Sequence, residues 1–193
     1  MPRKPLLPSW PRDVIVAATA TAIGKCEDKP NDSVLVRWFL KLVGWLTPAF
    51  WCMASVSRDF ERACRHRSPL LLTASCEQQR QRAIANGALV TREKFDIQRA
   101  LDPLSVAGWV GLCIGPDDQG KPHAHHTFIV GVLSDDADIV TRGPRNGFLT
   151  VEGNAANPKE PGSRNGDGKY EGRERGHPDD HIEYQFIDPA AYP

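Results

Sequence analysis

The sequence predicts an α+β domain in which N-terminal helices pack on a C-terminal, mostly antiparallel β-sheet. Three observations lead there. Before about residue 100 the apolar residues recur at spacings of three and four, the period of a helix. Beyond it the apolar runs shorten, and clusters of Gly, Pro, Asn and Asp separate them, as between strands. The chain has 193 residues, 40% hydrophobic and 25% charged, which suits one domain with one core.

Four helices are expected, over Val14–Ile23, Ser33–Leu46, Met53–Arg65 and Ser75–Asn86. In the second, Val34, Trp38, Leu42 and Trp45 fall on one face, and Asn31-Asp32-Ser33 offers N-cap candidates. Asn86-Gly87 reads as the stop after the fourth. Strands are expected at Val106–Ile114, Thr127–Leu133, Phe148–Val151, Lys169–Arg173 and Ile182–Ile187. Turn signals at Gly115–Asp118, Ser134–Asp136 and Arg142–Gly147 lie between them, and Ala155–Gly168 reads as a surface loop. No internal repeat is visible. Residues 1–11 are expected to be a flexible N-terminal segment, 12–188 a single domain and 189–193 a tail.

Composition excludes several functions. Lys plus Arg total 24 and Asp plus Glu 24, so no bulk field recruits nucleic acid or an anionic membrane. Val14–Ile23, the only candidate signal segment, is short and Ala/Thr-rich with no clean small-residue cleavage pattern after it, and Lys25 before Cys26 argues against lipid attachment. Ser33–Leu46 carries Arg37 and Lys41 and is too short to span a bilayer. The five cysteines (26, 52, 64, 76, 113) are odd in number, irregularly spaced and free of any CxxC pair. That predicts reduced thiols and no structural zinc.

The chemistry concentrates in an ordered trio. Cys52 stands just ahead of the helix-like run Met53–Cys64, where unpaired N–H groups and the helix dipole stabilise a thiolate and can donate to an oxyanion. His126 opens the strand-like run Thr127–Leu133. Glu152 and Asn154 are two apart, a spacing that shares a strand face, and either can hold the imidazole. A cysteine, a histidine and a carboxylate or amide in that order are the parts of a thiol hydrolase. Each residue also has a plainer reading: a small buried thiol, solvated loop histidines, a strand end before a turn. A metal cluster of His123, His125 and His126 is a further alternative, although no carboxylate or cysteine pair completes it.

Several segments resemble the CHAP-type and NlpC/P60-like cysteine peptidoglycan hydrolases, in particular their phage endolysin versions. Trp51-Cys52 is similar to the proline-tryptophan-cysteine start of the family's nucleophile helix. His126 with Thr127–Val132 resembles the "GHVGIV" strand, and Phe148–Asn154 the strand that ends in Glu-Gly-Asn. Gly162–Tyr170 resembles the "GSRNGDGVY" loop and hairpin, and Thr73-Ala74-Ser75 the "TAS" opening of the following helix. The likeness extends over roughly residues 12–175.

The resemblance implies a papain-like fold and a cysteine peptidase or amidase that cuts an amide bond in the peptide of peptidoglycan. Carried over by position, Cys52 is the nucleophile and His126 the general base. Glu152 is the orienting residue, and Asn154 assists or takes that role. Trp51, His125, Arg164 and Asp167 are candidates for substrate contact. Whether His125 or His126 faces the thiol stays open, with strand register favouring His126. No cofactor and no metal are implied; Asp28 and Asp32 do not form the family's calcium loop. The implied setting is a monomer, made in the cytoplasm and acting on the cell wall or periplasm. Release by a holin or a secretion system would deliver it, and an immunity protein is a possible partner. The alternative is a non-catalytic binding or interaction module that keeps the fold.

Overall fold

A computed structural model of the protein describes residues 9–21, 32–47, 50–65, 67–155, 168–177 and 181–192. Its helices are α1 (Trp10–Ala20), α2 (Val34–Leu42), α3 (Cys52–Ala63), α4 (Cys76–Ala85) and α5 (Arg92–Leu101). Its strands are β1 (Leu89–Thr91), β2 (Val110–Pro116), β3 (Pro122–Val130), β4 (Val132–Leu133), β5 (Ile139–Val140), β6 (Phe148–Ala155), β7 (Gly168–Arg175) and β8 (Glu183–Ile187). Six strands form one sheet in the order β1-β8-β2-β3-β6-β7, every neighbouring pair antiparallel. The fold is α+β.

Local chemistry explains where most helices begin. Ser33 caps α2 by accepting from the Val36 N–H, Ser75 caps α4 from Gln78, and Thr91 caps α5 from Lys94. Helix α3 is different: its N-cap position is Trp51, whose side chain makes no cap hydrogen bond.

The sheet is covered on both faces. Along β2, Val110, Leu112 and Ile114 join the core formed with α1, α3 and α4. The alternate positions face an aromatic cluster of Phe95, Trp109, Phe128, Phe148, Tyr184 and Phe186. Phe95 brings α5 onto that second face and stacks on Phe186 with centroids 3.7 Å apart. Gly111 makes room there: a Cβ at that position would lie 1.9 Å from the Phe128 ring. A third cluster (Val36, Phe39, Leu40, Trp51 and Ala54) ties α2 to the start of α3.

Several expectations change. The strand expected from Val106 begins at Val110, after a 3-10 turn over Pro103–Val106. Helix α5 and strand β1 were not expected; α5 buries only Phe95 fully, so its apolar stripe is too narrow to signal in sequence. The α2 face is also different. Val36, Phe39 and Leu40 are buried, whereas Val34 is 81% exposed and Trp38 42%. The run Val34–Leu42 is apolar nearly all round, so periodicity alone does not choose a side. Helix α1 begins at Trp10, inside the stretch expected to be flexible, and Trp10 meets Phe60. Past residue 188 the chain is held as well, since Gln79 donates to the Tyr192 hydroxyl at 2.9 Å. Arg164, Asp167 and Asp28 lie outside the described residues.

Candidate active site

The start of α3 is held against the sheet by two devices. Trp51 is fully buried and stacks on Phe39, with ring centroids 5.0 Å apart. Gly153 of β6 then passes so close that a Cβ there would sit 2.8 Å from both the Trp51 ring and the Ser55 side chain. Only glycine allows that approach, which brings Glu152 and Asn154 beside the helix start. Deeper along α3, the Asp59 carboxylate pairs with Lys169 of β7 at 2.6 Å, both side chains 1% exposed. Burial raises the Asp59 pKa and lowers that of Lys169, so each charge depends on the other.

Cys52 is the first residue of α3 and is buried. First-turn N–H groups of a helix have no acceptor within the helix, and the Trp51 side chain supplies none. The Cys52 thiol meets His126 and Cys76; the two sulfurs are 3.5 Å apart. The hydrogen bond with Cys76 holds the Cys52 pKa well below that of an ordinary thiol. Burial opposes this, and contacts with His126 and the Thr127 N–H add to the lowering. Cys76 moves the other way, well above the ordinary value, through its bond to Cys52 and then burial. The negative charge belongs on Cys52, because the imidazole and the Thr127 amide lie on its side of the pair.

His126 Nε2 lies 3.1 Å from Glu152 Oε2, and the Cys52 thiol interacts with the same imidazole. That leaves Nδ1 for the thiol. Burial disfavours the imidazolium, but hydrogen bonding to Cys52 and Glu152, and then their charges, outweigh it and lift the His126 pKa to about 9. A bulge in β3 between the partners of Cys113 and Ile114 sets the register. His126 lies opposite Cys113, while His125 is exposed and hydrogen-bonds the Pro116 carbonyl at 3.2 Å.

Glu152 is fixed on every side. Arg175 donates to both carboxylate oxygens, at 2.5 and 2.6 Å, and Thr150 Oγ1 donates at 2.6 Å. Burial alone would raise the Glu152 pKa; Arg175, and after it His126, hold it well below the carboxylate range. Burial likewise opposes the Arg175 charge and Glu152 overrides it. The Arg175 guanidinium lies 5.4 Å over the fully buried Phe128 ring, so Phe128 packs beneath the site.

Asn154 occupies the β6 bulge opposite β7, with φ +56°. It is 7% exposed, its Oδ1 has no hydrogen-bond partner among the described residues, and it lines the same cleft as Cys52 and His126. That cleft has a volume of about 660 Å³, and His123, His125 and Arg173 also line it. Trp51 offers it no surface, so a substrate contact by Trp51 is replaced by a packing role: a ring buried at 0% exposure cannot meet a ligand.

The structure therefore brings Cys52, His126, Glu152 and Asn154 together. The three neighbouring histidines do not converge, and no group of three metal-binding side chains occurs among the described residues. Sequence reasoning missed Arg175, Thr150 and Cys76. Arg175 carries no local signal, because only the β6–β7 register places it beside Glu152. Cys76 did carry one: like Cys52, it is a cysteine at the first position of a helix. No helix among the described residues is long and apolar enough to cross a membrane. No family model, curated protein or solved structure matches the chain.

Proposed function

We propose that this protein is a thiol hydrolase of the papain-like kind that cleaves an amide bond in the peptide of bacterial peptidoglycan. The observation that carries the chemistry is the chain Cys52–His126–Glu152–Arg175, in which a lowered thiol meets an imidazole raised to about 9. A thiolate–imidazolium pair at rest is the reactive state of such enzymes. Support for the substrate comes from the resemblance of the Trp51-Cys52, His126, Glu152-Gly153-Asn154 and Gly162–Tyr170 segments to the cell-wall hydrolases.

In this mechanism the Cys52 thiolate attacks the amide carbonyl carbon. The oxyanion that forms is met by first-turn N–H groups of α3, which the Trp51 side chain at the N-cap position leaves uncapped. The C–N bond breaks as His126 gives its proton to the leaving amine, and an acyl thioester remains on Cys52. His126 then takes a proton from water, whose hydroxide attacks the thioester and releases the acid with the thiolate restored. Glu152, clamped by Arg175, fixes the imidazole and steadies its charge. Since Glu152 occupies the imidazole's second nitrogen, Asn154 is assigned to the substrate, its free Oδ1 accepting from a peptide N–H. Peptidoglycan is the partner in this reading, reached by release or secretion of the protein.

The test is mass spectrometry of purified sacculi incubated with wild type and with Cys52→Ala. New muropeptide fragments from wild type alone are expected, and their end groups name the bond. Intact sacculi with folded wild type, or equal cleavage by the variant, would end the proposal.

A further inference from the structure

The charges around the cleft do not balance. Glu152 is matched by Arg175, which grips both its oxygens, and the Cys52 thiolate by the His126 imidazolium. Arg173 is left over. It lies two residues from Arg175 on β7, where Thr150↔Arg173 and Phe148↔Arg175 are in regular register, and its guanidinium makes no ion pair or hydrogen bond among the described residues. It is partly buried and lines the cleft together with Cys52, His126 and Asn154. No Asp or Glu is among the described residues of that lining, although the whole chain has formal net charge zero. A half-buried guanidinium with its planar fork of donors, in a cleft whose described lining holds no carboxylate, is suited to receive one.

The geometry points to Arg173 as the anchor for a free carboxylate on the substrate, beside the amide that Cys52 attacks. This inference rests on the hydrolase reading and narrows it. The substrate class becomes peptides bearing an unblocked carboxylate next to the scissile bond. Peptides in which that carboxylate is amidated become poor substrates, since they leave Arg173 desolvated and unpaired.

Two small alkylating reagents test this without any hydrolysis assay. Iodoacetate carries a carboxylate beside its reactive carbon and iodoacetamide the neutral amide. Both form the same type of S–C bond on Cys52 as the C–I bond breaks and iodide leaves. The rates at Cys52 are read by peptide mass spectrometry near pH 6.5 for wild type, Arg173→Gln and Arg173→Lys. The expected result is a ratio of iodoacetate to iodoacetamide rates that falls about three- to tenfold in Arg173→Gln, the effect of one screened charge. Arg173→Lys should restore part of it. A ratio unchanged by Arg173→Gln overturns the anchor while leaving the nucleophile in place. Failure of both reagents to label Cys52 in wild type overturns the nucleophile reading, and the anchor with it.

Discussion

Helices α3 and α4 both begin on a cysteine, and their two sulfurs face each other across 3.5 Å, yet the two starts are built differently. At α4, Ser75 accepts from the Gln78 N–H, so part of the helix's donor capacity is already used. At α3, the capping position holds Trp51, which contributes packing and no acceptor. Cys52 also has His126 and the Thr127 amide beside it, whereas Cys76 has chiefly other thiols and burial. The same residue at the same helical position thus becomes an anion in one case and a proton donor in the other. A helix N-terminus alone does not make a nucleophile; an open cap and a neighbouring base do.

The largest effect that can break this comparison comes from exchanging the two cysteines' fates. Cys52→Ala should lower sacculus hydrolysis by about a thousandfold or more, as loss of a nucleophile does. Cys76→Ala should retain turnover within about tenfold. Equal losses in the two variants, with both folded, would show that the helix starts are not functionally distinct.

Next in size is the anchoring of α3. Lys169→Met leaves Asp59 buried and unpaired and should cost about 3–5 kcal/mol by urea denaturation. The double variant Asp59→Leu/Lys169→Met should recover most of that loss. A double variant no better than the single would mean that the pair does not act as one unit.

Thiol reactivity sharpens the comparison by pH. At pH 6, iodoacetamide should label Cys52 about ten to a hundred times faster than Cys64 or Cys113. Those thiols are pushed up mainly by burial, to about 11 and about 12. Under the proposed mechanism hydrolysis should fall as the pH rises through about 9, where His126 loses the proton assigned to the leaving amine. Stability follows the same sign. The folded His126 pKa of about 9 lies above its unfolded value, so its contribution is whole below about pH 6.5 and lost as pH rises through about 9. The stability gap between wild type and His126→Gln should therefore narrow from pH 6.5 to pH 9.5.

The smallest expected effect is Cys76→Ser. Its hydroxyl is a different donor to the Cys52 sulfur, and the pH midpoint of Cys52 alkylation should shift by about one unit or less. No shift at all would mean that His126 and the backbone set the thiolate alone.

The sequence by itself determined the α+β class, the four N-terminal helices ahead of most of the sheet, and the residue types able to do thiol chemistry. These are local properties: apolar spacing distinguishes helix from strand, and Ser33 and Ser75 mark helix starts by their own side chains. It also singled out Cys52, His126, Glu152 and Asn154, because their types and order suffice to suggest a reaction. Tertiary structure decided the rest. Which face of α2 is buried depends on Trp51 and Ala54 packing against Val36, Phe39 and Leu40, since the helix is apolar on more than one side. Arg175 meets Glu152 through the pairing of β6 with β7, and Cys76 meets Cys52 where α3 and α4 pack in one core, with Ser57 of α3 donating to the Leu71 and Thr73 carbonyls just before α4. Whether Glu152 or Asn154 reaches the imidazole was likewise settled by a bulge, which gives Asn154 a φ of +56°. Charges, protons and pocket walls are set by neighbours distant in sequence, and residue spacing along the chain carries no record of them.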